Sequence, residues 1–150
     1  MKTTFLIQNL NELEVFTQDL KKEILNFSSE FTNQIYFLKA SMGSGKTTFI
    51  RSLIQKFSTD IKVTSPTFTG MHLYTGIDFD FYHYDLYQVA LNQEEFREIL
   101  DSNINKIIFF EWSENLDEST IKSFTDKQTL IRTMKIEVLE DEVRRFEISI

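Results

Sequence analysis

One stretch of the chain has the residue types and spacing that bind phosphate groups. It reads Ala40-Ser41-Met42-Gly43-Ser44-Gly45-Lys46-Thr47-Thr48 and matches G-x-x-x-x-G-K-[ST] at every fixed position except the first, where Ala40 replaces glycine. Glycines let the backbone turn so that N–H groups point at phosphate oxygens. The lysine places a positive charge on the terminal phosphates, and the next hydroxyl can bind Mg²⁺. The sequence therefore predicts a loop that binds ATP and Mg²⁺.

Each loop residue has a predicted role. Lys46 is predicted to act in catalysis, and Thr47 is predicted to be a metal ligand. The predicted cofactor-binding residues of the loop are Met42, Gly43, Ser44, Gly45, Lys46, Thr47 and Thr48. The alternative is an ordinary strand-to-helix turn with Lys46 in solvent, where a cation opposes the helix dipole.

A second candidate is the acid that ends an apolar run further along the chain. Lys106-Ile107-Ile108-Phe109-Phe110-Glu111 has the form of a buried strand ending in a carboxylate, and P-loop proteins place such an acid near Mg²⁺. Glu111 is therefore a predicted metal ligand and catalytic residue, and the alternative is an exposed carboxylate at a strand end. Trp112 follows it and is open to three interpretations: a core aromatic, a wall of the nucleotide pocket or a partner contact.

The segment between these two motifs adds polar residues in an alternating pattern. In an extended chain His83, Asp85 and Tyr87 share one face, with Tyr82, Tyr84 and Leu86 on the other. That pattern places a proton-transfer or metal-ligand set on one surface. A lone His and Asp on a strand are more often surface residues, so the pattern by itself does not decide.

Hydrophobic periodicity predicts the elements that position these motifs. Apolar residues at helical spacing predict helices over 12–27, 47–57 and 92–101, and apolar or alternating runs predict strands over 3–7, 34–38, 63–74, 79–87, 106–110, 134–139 and 144–150. This order predicts an α/β fold, a three-layer sandwich of the P-loop NTPase type with a mixed, mainly parallel sheet. Residues 1–150 are predicted to form a single ATPase domain.

Composition narrows the function classes. The chain has 150 residues, no cysteine and a formal net charge of −7. The lack of cysteine excludes disulfides and thiolate metal sites and favours the cytoplasm. The negative charge opposes direct binding of nucleic acid, and no apolar run is long enough to predict a membrane span.

Four motifs in order resemble one known family. The loop through Phe49, then Ser65-Pro66-Thr67-Phe68, then His83-Tyr84-Asp85-Leu86-Tyr87, then Glu111-Trp112 resemble the bacterial TsaE (YjeE) family over nearly the whole chain. The resemblance implies an ATPase required for threonylcarbamoyladenosine formation on tRNA. It implies TsaD and TsaB proteins as partners, with tRNA reached only through their complex.

The resemblance also implies roles for individual residues. Thr67, with Ser65, is implied to sense the γ-phosphate, and Asp85 to support Mg²⁺ or the attacking water, with His83 and Tyr87 beside it. Glu111 is implied to bind the metal and Trp112 to be functionally important. Glu12 and the acidic turn at Asp141-Glu142 are implied to lie near the adenine. The chain departs from the family at Ala40 and at Gln88, where the family usually has arginine, and Arg51 or a partner is a candidate to replace that cation.

The predicted mechanism is a nucleotide switch. ATP binding is expected to order the Ser65–Phe68 loop and the Phe81–Tyr87 strand against the transferase pair, and hydrolysis to release or reset the complex. The isolated chain is expected to hydrolyse ATP slowly because no arginine finger is evident. The rivals are a small-molecule kinase, for which no arginine-bearing lid is evident, and a GTPase or other nucleotide-gated module, for which no N-K-x-D signature is present. A third rival is a structural domain with a vestigial loop.

Overall fold

The chain folds as alternating strands and helices. The structure, a computed structural model, describes residues 1–150 apart from the side chain of Asp141. Its strands and helices are β1 Lys2–Ile7, α1 Leu10–Phe27, β2 Asn33–Ala40, α2 Lys46–Phe57, β3 Met71–Thr75, β4 Asp80–Asp85, α3 Gln93–Asp101, β5 Lys106–Glu111, α4 Glu118–Phe124, β6 Thr129–Val138 and β7 Arg144–Ser149, with short 3₁₀ turns at Ser113–Asn115 and Glu140–Glu142.

All seven strands form one sheet in the order β1-β7-β6-β2-β5-β4-β3. The central pairings β6–β2, β2–β5 and β5–β4 are parallel, and the three outer pairings are antiparallel. The predicted α/β fold with a mixed sheet is confirmed, and its parallel part is half of the pairings rather than most of them. The carboxyl ends of β2, β4 and β5 meet at one edge, where open α/β sheets bind ligands.

Helices cover the sheet on both faces, which gives three layers. Helices α1 and α2 bury apolar side chains such as Phe16, Leu20 and Phe49 against one face, and α3 and α4 bury Phe96 and Phe124 against the other. Burial at about 25 cal/mol per Å² of apolar surface is the main force holding these layers together. The central strands are buried on both faces, which is why β2 and β5 read as continuous apolar runs.

The predicted helices are largely confirmed. The helix predicted over 12–27 begins two residues earlier, because Asn9 caps it by accepting a hydrogen bond from the backbone of Glu12 at 2.9 Å. The helix predicted over 47–57 begins at Lys46. No helix within the described part of the chain has the length and apolar character needed to cross a membrane.

Three expectations were wrong in detail. The strand predicted over 134–139 begins five residues earlier, at Thr129, and ends at Val138. The strand predicted over 63–74 forms only at Met71–Thr75, since residues 61–66 are irregular and a turn follows Pro66, with Gly70 N–H donating to the Pro66 carbonyl at 2.8 Å. Proline has no N–H for a ladder and restricts the residue before it, so the chain cannot join the sheet there. Helix α4 was missed because it is only seven residues long.

Lys106 is a buried lysine at the start of β5, at the end of the parallel strands opposite to their carboxyl ends. The Lys106 ammonium donates to Asn33 Oδ1 at 2.8 Å and to the Ser102 carbonyl at 3.0 Å, and burial lowers the pKa of Lys106 to about 8 from its ordinary 10.5. Between these values the unfolded chain binds more protons than the folded one, so this group makes stability rise with pH. We expect the free energy of unfolding to rise by about 2 kcal/mol between roughly pH 8 and 10 relative to Lys106→Met. Urea unfolding of both proteins measures this, and parallel pH profiles would contradict it.

Candidate functional site

The loop after β2 takes the sharp turns that its glycines permit. Gly43 and Gly45 have φ of 76° and 103°, in the left-handed region that other residues rarely adopt. Ser44 N–H donates back to the Ser41 carbonyl at 3.2 Å, and the first helical bond of α2 runs from Phe49 N–H to the Gly45 carbonyl at 2.9 Å. The earlier N–H groups of a helix have no acceptor inside it. The loop therefore presents the amino-terminal end of α2 as an anion-binding surface.

Ala40 fits the first position of the loop without strain. It is the last residue of β2 and pairs with Ile136 of β6, so its backbone is extended. A glycine's access to positive φ is not needed there. The replacement of glycine by alanine therefore leaves the loop's geometry intact.

Glu111 links the loop lysine to a buried histidine. It ends β5, is only 4 % exposed, and its Oε1 lies 2.9 Å from Lys46 Nζ while its Oε2 lies 2.7 Å from His83 Nε2. Burial alone would raise the pKa of Glu111, but the hydrogen bonds and electrostatic attraction from His83 and Lys46 outweigh it and hold the pKa below its ordinary value. Glu111 is thus an ionised carboxylate at the carboxyl edge of the sheet. Glu111 is therefore not the exposed strand-end carboxylate of the alternative interpretation.

Asp85 lies beside Glu111. The two residues are register partners at the ends of the parallel strands β4 and β5, and both side chains are buried. Asp85 Oδ1 accepts a hydrogen bond from Tyr87 N–H at 3.0 Å, and Asp85 N–H donates to the Gly70 carbonyl at 2.9 Å. The second bond ties this acid to the end of the Ser65–Phe68 loop.

The alternation predicted for 82–87 is confirmed along β4. His83 and Asp85 face the loop, while Tyr84 and Leu86 pack into the core beneath α3 and α4. Tyr87 lies beyond the strand's end. The aromatic–polar pattern therefore separates a face that packs under α3 and α4 from a face on which Asp85 lines the cavity and His83 lies buried against Glu111.

The Ser65–Phe68 loop is attached at its start to the edge strand β3. The Tyr74 hydroxyl accepts from Thr64 N–H and donates to the Thr64 carbonyl, both at 3.0 Å. Within the loop the hydroxyls of Ser65 and Thr67 lie 2.8 Å apart. Both line the same cavity as Lys46.

Trp112 is not a core residue. Its side chain is 41 % exposed and its ring packs on Tyr87 with centroids 4.9 Å apart. Its backbone is left-handed, with φ 60° and ψ 41°, which is uncommon for a bulky residue and concentrates at functional sites. Trp112 therefore stands at the rim of the cleft, which leaves the pocket-wall and partner-contact interpretations.

These groups enclose one open cavity of about 720 Å³. It is lined by the predicted site residues Met42, Gly43, Gly45, Lys46, Thr47, Thr48, Thr67, Asp85, Glu111 and Trp112, together with Ala40, Ser41, Ser65 and Tyr87. Its volume lies within the range of small-ligand sites.

The residues of this cavity fit a magnesium nucleotide. The described residues contain no cluster of three acidic, histidine or cysteine side chains able to hold a metal by themselves. Mg²⁺ in nucleotide sites takes only one or two carboxylates, with phosphate oxygens and water completing its shell. Asp85, Glu111 and the Thr47 hydroxyl are the protein groups available for that pattern.

A smaller cavity of about 270 Å³ lies behind the loop. It is lined by the start of α1, by Ser44, Gly45 and Thr48 of the loop, and by Glu142, Arg144 and Phe146. The Ser44 hydroxyl is buried and has no hydrogen-bond partner among the described residues. The cavity has polar lining residues such as Asn9 and Arg144 beside apolar ones such as Leu13 and Phe146.

Four candidates line neither cavity, and one of them, His83, is fully buried behind Glu111. Glu12 accepts a hydrogen bond from Gln8 N–H at 2.7 Å and caps α1. Gln88 lines a separate surface cavity. The Arg51 guanidinium donates to the Val63 carbonyl at 3.4 Å. The acidic turn reaches the small cavity through Glu142, and the side chain of Asp141 lies outside the described part of the chain.

Sequence reasoning missed Arg144. Its Nε donates to the Ser44 carbonyl at 3.3 Å, which puts a cation against the back of the loop. Arg144 begins β7 and pairs with Ile7 and Val138, so only the sheet register brings it there. No local motif around Arg144 signals that position.

The fold and the site define the class of protein. A glycine loop between a central parallel strand and a helix, with two acids at the neighbouring strand ends, is the arrangement of P-loop-type α/β proteins. The family model described as "Threonylcarbamoyl adenosine biosynthesis protein TsaE" matches residues 7–146. The chain belongs to the TsaE family of threonylcarbamoyl adenosine biosynthesis proteins.

Individual relatives agree with this. The chain is 36 % identical to the tRNA threonylcarbamoyladenosine biosynthesis protein TsaE of Rickettsia prowazekii, over 65 % of this chain and 73 % of the relative. It is 38 % identical to that of Borreliella burgdorferi, over 61 % and 72 %. A crystal structure of Bacillus subtilis YdiB superposes with a TM-score of 0.61 at 18 % identity, over 99 % of this chain and 84 % of that one, which shows a shared fold.

Proposed function

We propose that the chain is a Mg²⁺-dependent ATPase of tRNA threonylcarbamoyladenosine (t6A) formation, acting as a single cytoplasmic domain that switches a TsaD–TsaB transferase pair with its bound nucleotide. The observation that carries the proposal is the ion pair between Lys46 and Glu111 at 2.9 Å inside the loop cavity. This pair joins the group suited to phosphate with the group suited to metal.

The proposed binding step exchanges the partners of Lys46. A triphosphate on the loop offers the Lys46 ammonium more negative charge than one carboxylate does, so Lys46 turns from Glu111 to the phosphates. Glu111 and Asp85 are then available to hold Mg²⁺, which when bound would neutralise charge on the phosphate oxygens. The loop amides and the end of α2 hold the phosphates in place.

The smaller cavity is the proposed site of the base. It adjoins Gly45 and Thr48 of the loop, so a nucleotide bound by its phosphates reaches it directly. Asn9 offers polar contacts to a base edge, and Phe146 and Leu13 offer apolar ones. We propose adenine there, and comparison of ATP with GTP in a binding titration tests that choice.

Slow hydrolysis by the isolated chain is part of the proposal. None of the described residues lining the larger cavity is an arginine. A cation that stabilises the transferring phosphoryl group raises kcat by about 10³ to 10⁵ in P-loop enzymes that have one. A partner is therefore the proposed source of the missing charge or of the final loop geometry.

Exposed apolar side chains around the cleft support a protein partner. Met42, which is 93 % exposed, lines the cavity together with Tyr87 and Trp112, and Phe68, which is 87 % exposed, follows the lining residue Thr67 in the chain. Apolar groups gathered at one site mark interaction surfaces. A partner seated there would contact the loop that senses the nucleotide.

Phosphate release with and without the TsaD–TsaB pair tests the proposal. We expect slow release by the chain alone and at least tenfold stimulation by the pair, because the pair would complete the site. Phe68→Ser should remove most of the stimulation and leave the slow rate unchanged. Ile77→Ser, at a similarly exposed residue outside the Ser65–Phe68 loop, is the matched control. Rapid turnover by the isolated chain would contradict the switch.

A further inference from the structure

His83 is a buried polar residue that the proposed reaction does not use directly. It is fully buried in β4, and its Nε2 lies 2.7 Å from Glu111 Oε2. Its other nitrogen, Nδ1, is buried without a hydrogen-bond partner among the described residues. The imidazole ring also packs edge-on against Phe109 at 6.4 Å between centroids, so its position is fixed by the sheet and the core.

The two carboxylate oxygens of Glu111 have different partners, one in the loop and one in the sheet. Oε1 is paired with Lys46, which belongs to the loop and lines the cavity. Oε2 is paired with His83, which lies in the strand hydrogen-bonded to β5. When Lys46 turns to a nucleotide, the contact with His83 is the one that remains.

We propose that His83 is a positioning residue whose Nε2–H holds Oε2 of Glu111 and so directs Oε1 into the cleft as a metal ligand. This inference rests on the proposed function, because it gives Glu111 the metal-binding role proposed above. Carboxylates that bind metals are themselves usually held by a hydrogen bond, which fixes their orientation. Removing such a partner typically lowers metal affinity by about 10- to 100-fold.

The surroundings of the ring also assign its proton. Nε2 must carry a hydrogen in order to donate to the ionised Glu111. The 2.7 Å contact therefore places a hydrogen on His83 Nε2.

Two substitutions separate donation from ring packing. His83→Phe keeps the ring volume and removes the donor, whereas His83→Gln places an amide N–H where Nε2 was. Binding of a fluorescent ATP analogue is measured in EDTA and across a Mg²⁺ titration. We expect His83→Phe to bind without metal within about twofold of wild type, and to need about 10- to 100-fold more Mg²⁺ for its half-maximal effect. His83→Gln should recover most of the loss, and an unchanged Mg²⁺ midpoint in His83→Phe would overturn the inference.

A double-mutant cycle with Glu111→Gln tests whether His83 acts through Glu111. In the Glu111→Gln background the His83→Phe change should add little further loss, because the carboxylate to be positioned is already gone. If the fold losses in Mg²⁺ affinity of the two single variants multiply in the double variant, His83 acts independently of Glu111 and the inference is overturned.

Nitrogen NMR of the wild-type imidazoles gives a reading that needs no nucleotide. The chain has only two histidines, so His72→Gln assigns the His83 signals. We expect the Nε2–H tautomer in the free protein, and the Nδ1–H tautomer would overturn the inference even if the variants fail to fold. If the wild-type chain binds no nucleotide but shows the Nε2–H tautomer, both the proposed function and the metal-directing role are contradicted. The His83–Glu111 hydrogen bond would still be established.

Discussion

Lys46→Ala is expected to weaken ATP binding by about 10- to 100-fold, the largest effect on affinity of any single change in the cleft. A hydrogen bond to a charged group is worth about 1.5–3 kcal/mol, and each 1.4 kcal/mol is a factor of about ten in Kd. The ammonium is largely buried, with 14 % of the side chain exposed, so solvent screens it little. Isothermal titration with ATP measures the change.

The matched control for Lys46→Ala is Lys39→Ala. Lys39 is an exposed lysine at the end of the same strand, and it does not line the cavity. Lys39→Ala changes the net charge by the same amount as Lys46→Ala, and it should leave the Kd for ATP within about twofold of the wild-type value. Equal affinities for wild type and Lys46→Ala would remove the phosphate role of the loop.

Glu111→Gln is expected to have two effects of opposite sign. Mg²⁺-dependent hydrolysis, measured at saturating ATP in the presence of the partner pair, should fall by about 100-fold or more, because an amide is a poor metal ligand. ATP affinity without Mg²⁺ should rise by a few-fold, because Lys46 is no longer paired with a carboxylate at 2.9 Å and is free to meet the phosphates.

Glu114→Gln provides the control for Glu111→Gln. Glu114 is exposed, lies three residues further along the chain, and does not line the cavity. Glu114→Gln should change neither the rate of Mg²⁺-dependent hydrolysis nor the ATP affinity without Mg²⁺. Unchanged hydrolysis in Glu111→Gln would exclude Glu111 from the metal site, and a lower Mg²⁺-free affinity would contradict the proposed exchange of partners by Lys46.

Sequence reasoning succeeded where the determining interactions are local. The glycine spacing around Gly43 and Gly45 specifies a loop with left-handed turns, and both glycines adopt them. The apolar run ending at Glu111 specifies a strand because central strands are buried on both faces. The alternation in β4 correctly separates His83 and Asp85 from Tyr84.

Sequence reasoning failed where distant strands meet. The exposure of Trp112 depends on the turn after β5, and its three interpretations could not be separated beforehand. Arg144 reaches the loop because β7 pairs with β6 and β1. The residues near Arg144 in the sequence do not predict that pairing.

The sequence by itself determined the glycine loop, the positions of Asp85 and Glu111 at two strand ends, and the family to which these motifs belong. The tertiary structure decided which of those groups face each other, above all the Lys46–Glu111–His83 arrangement, and it brought Arg144 to the loop. The physical reason is that turn and strand preferences act within a few residues, whereas register and strand order are set by packing a common core between residues far apart in the chain.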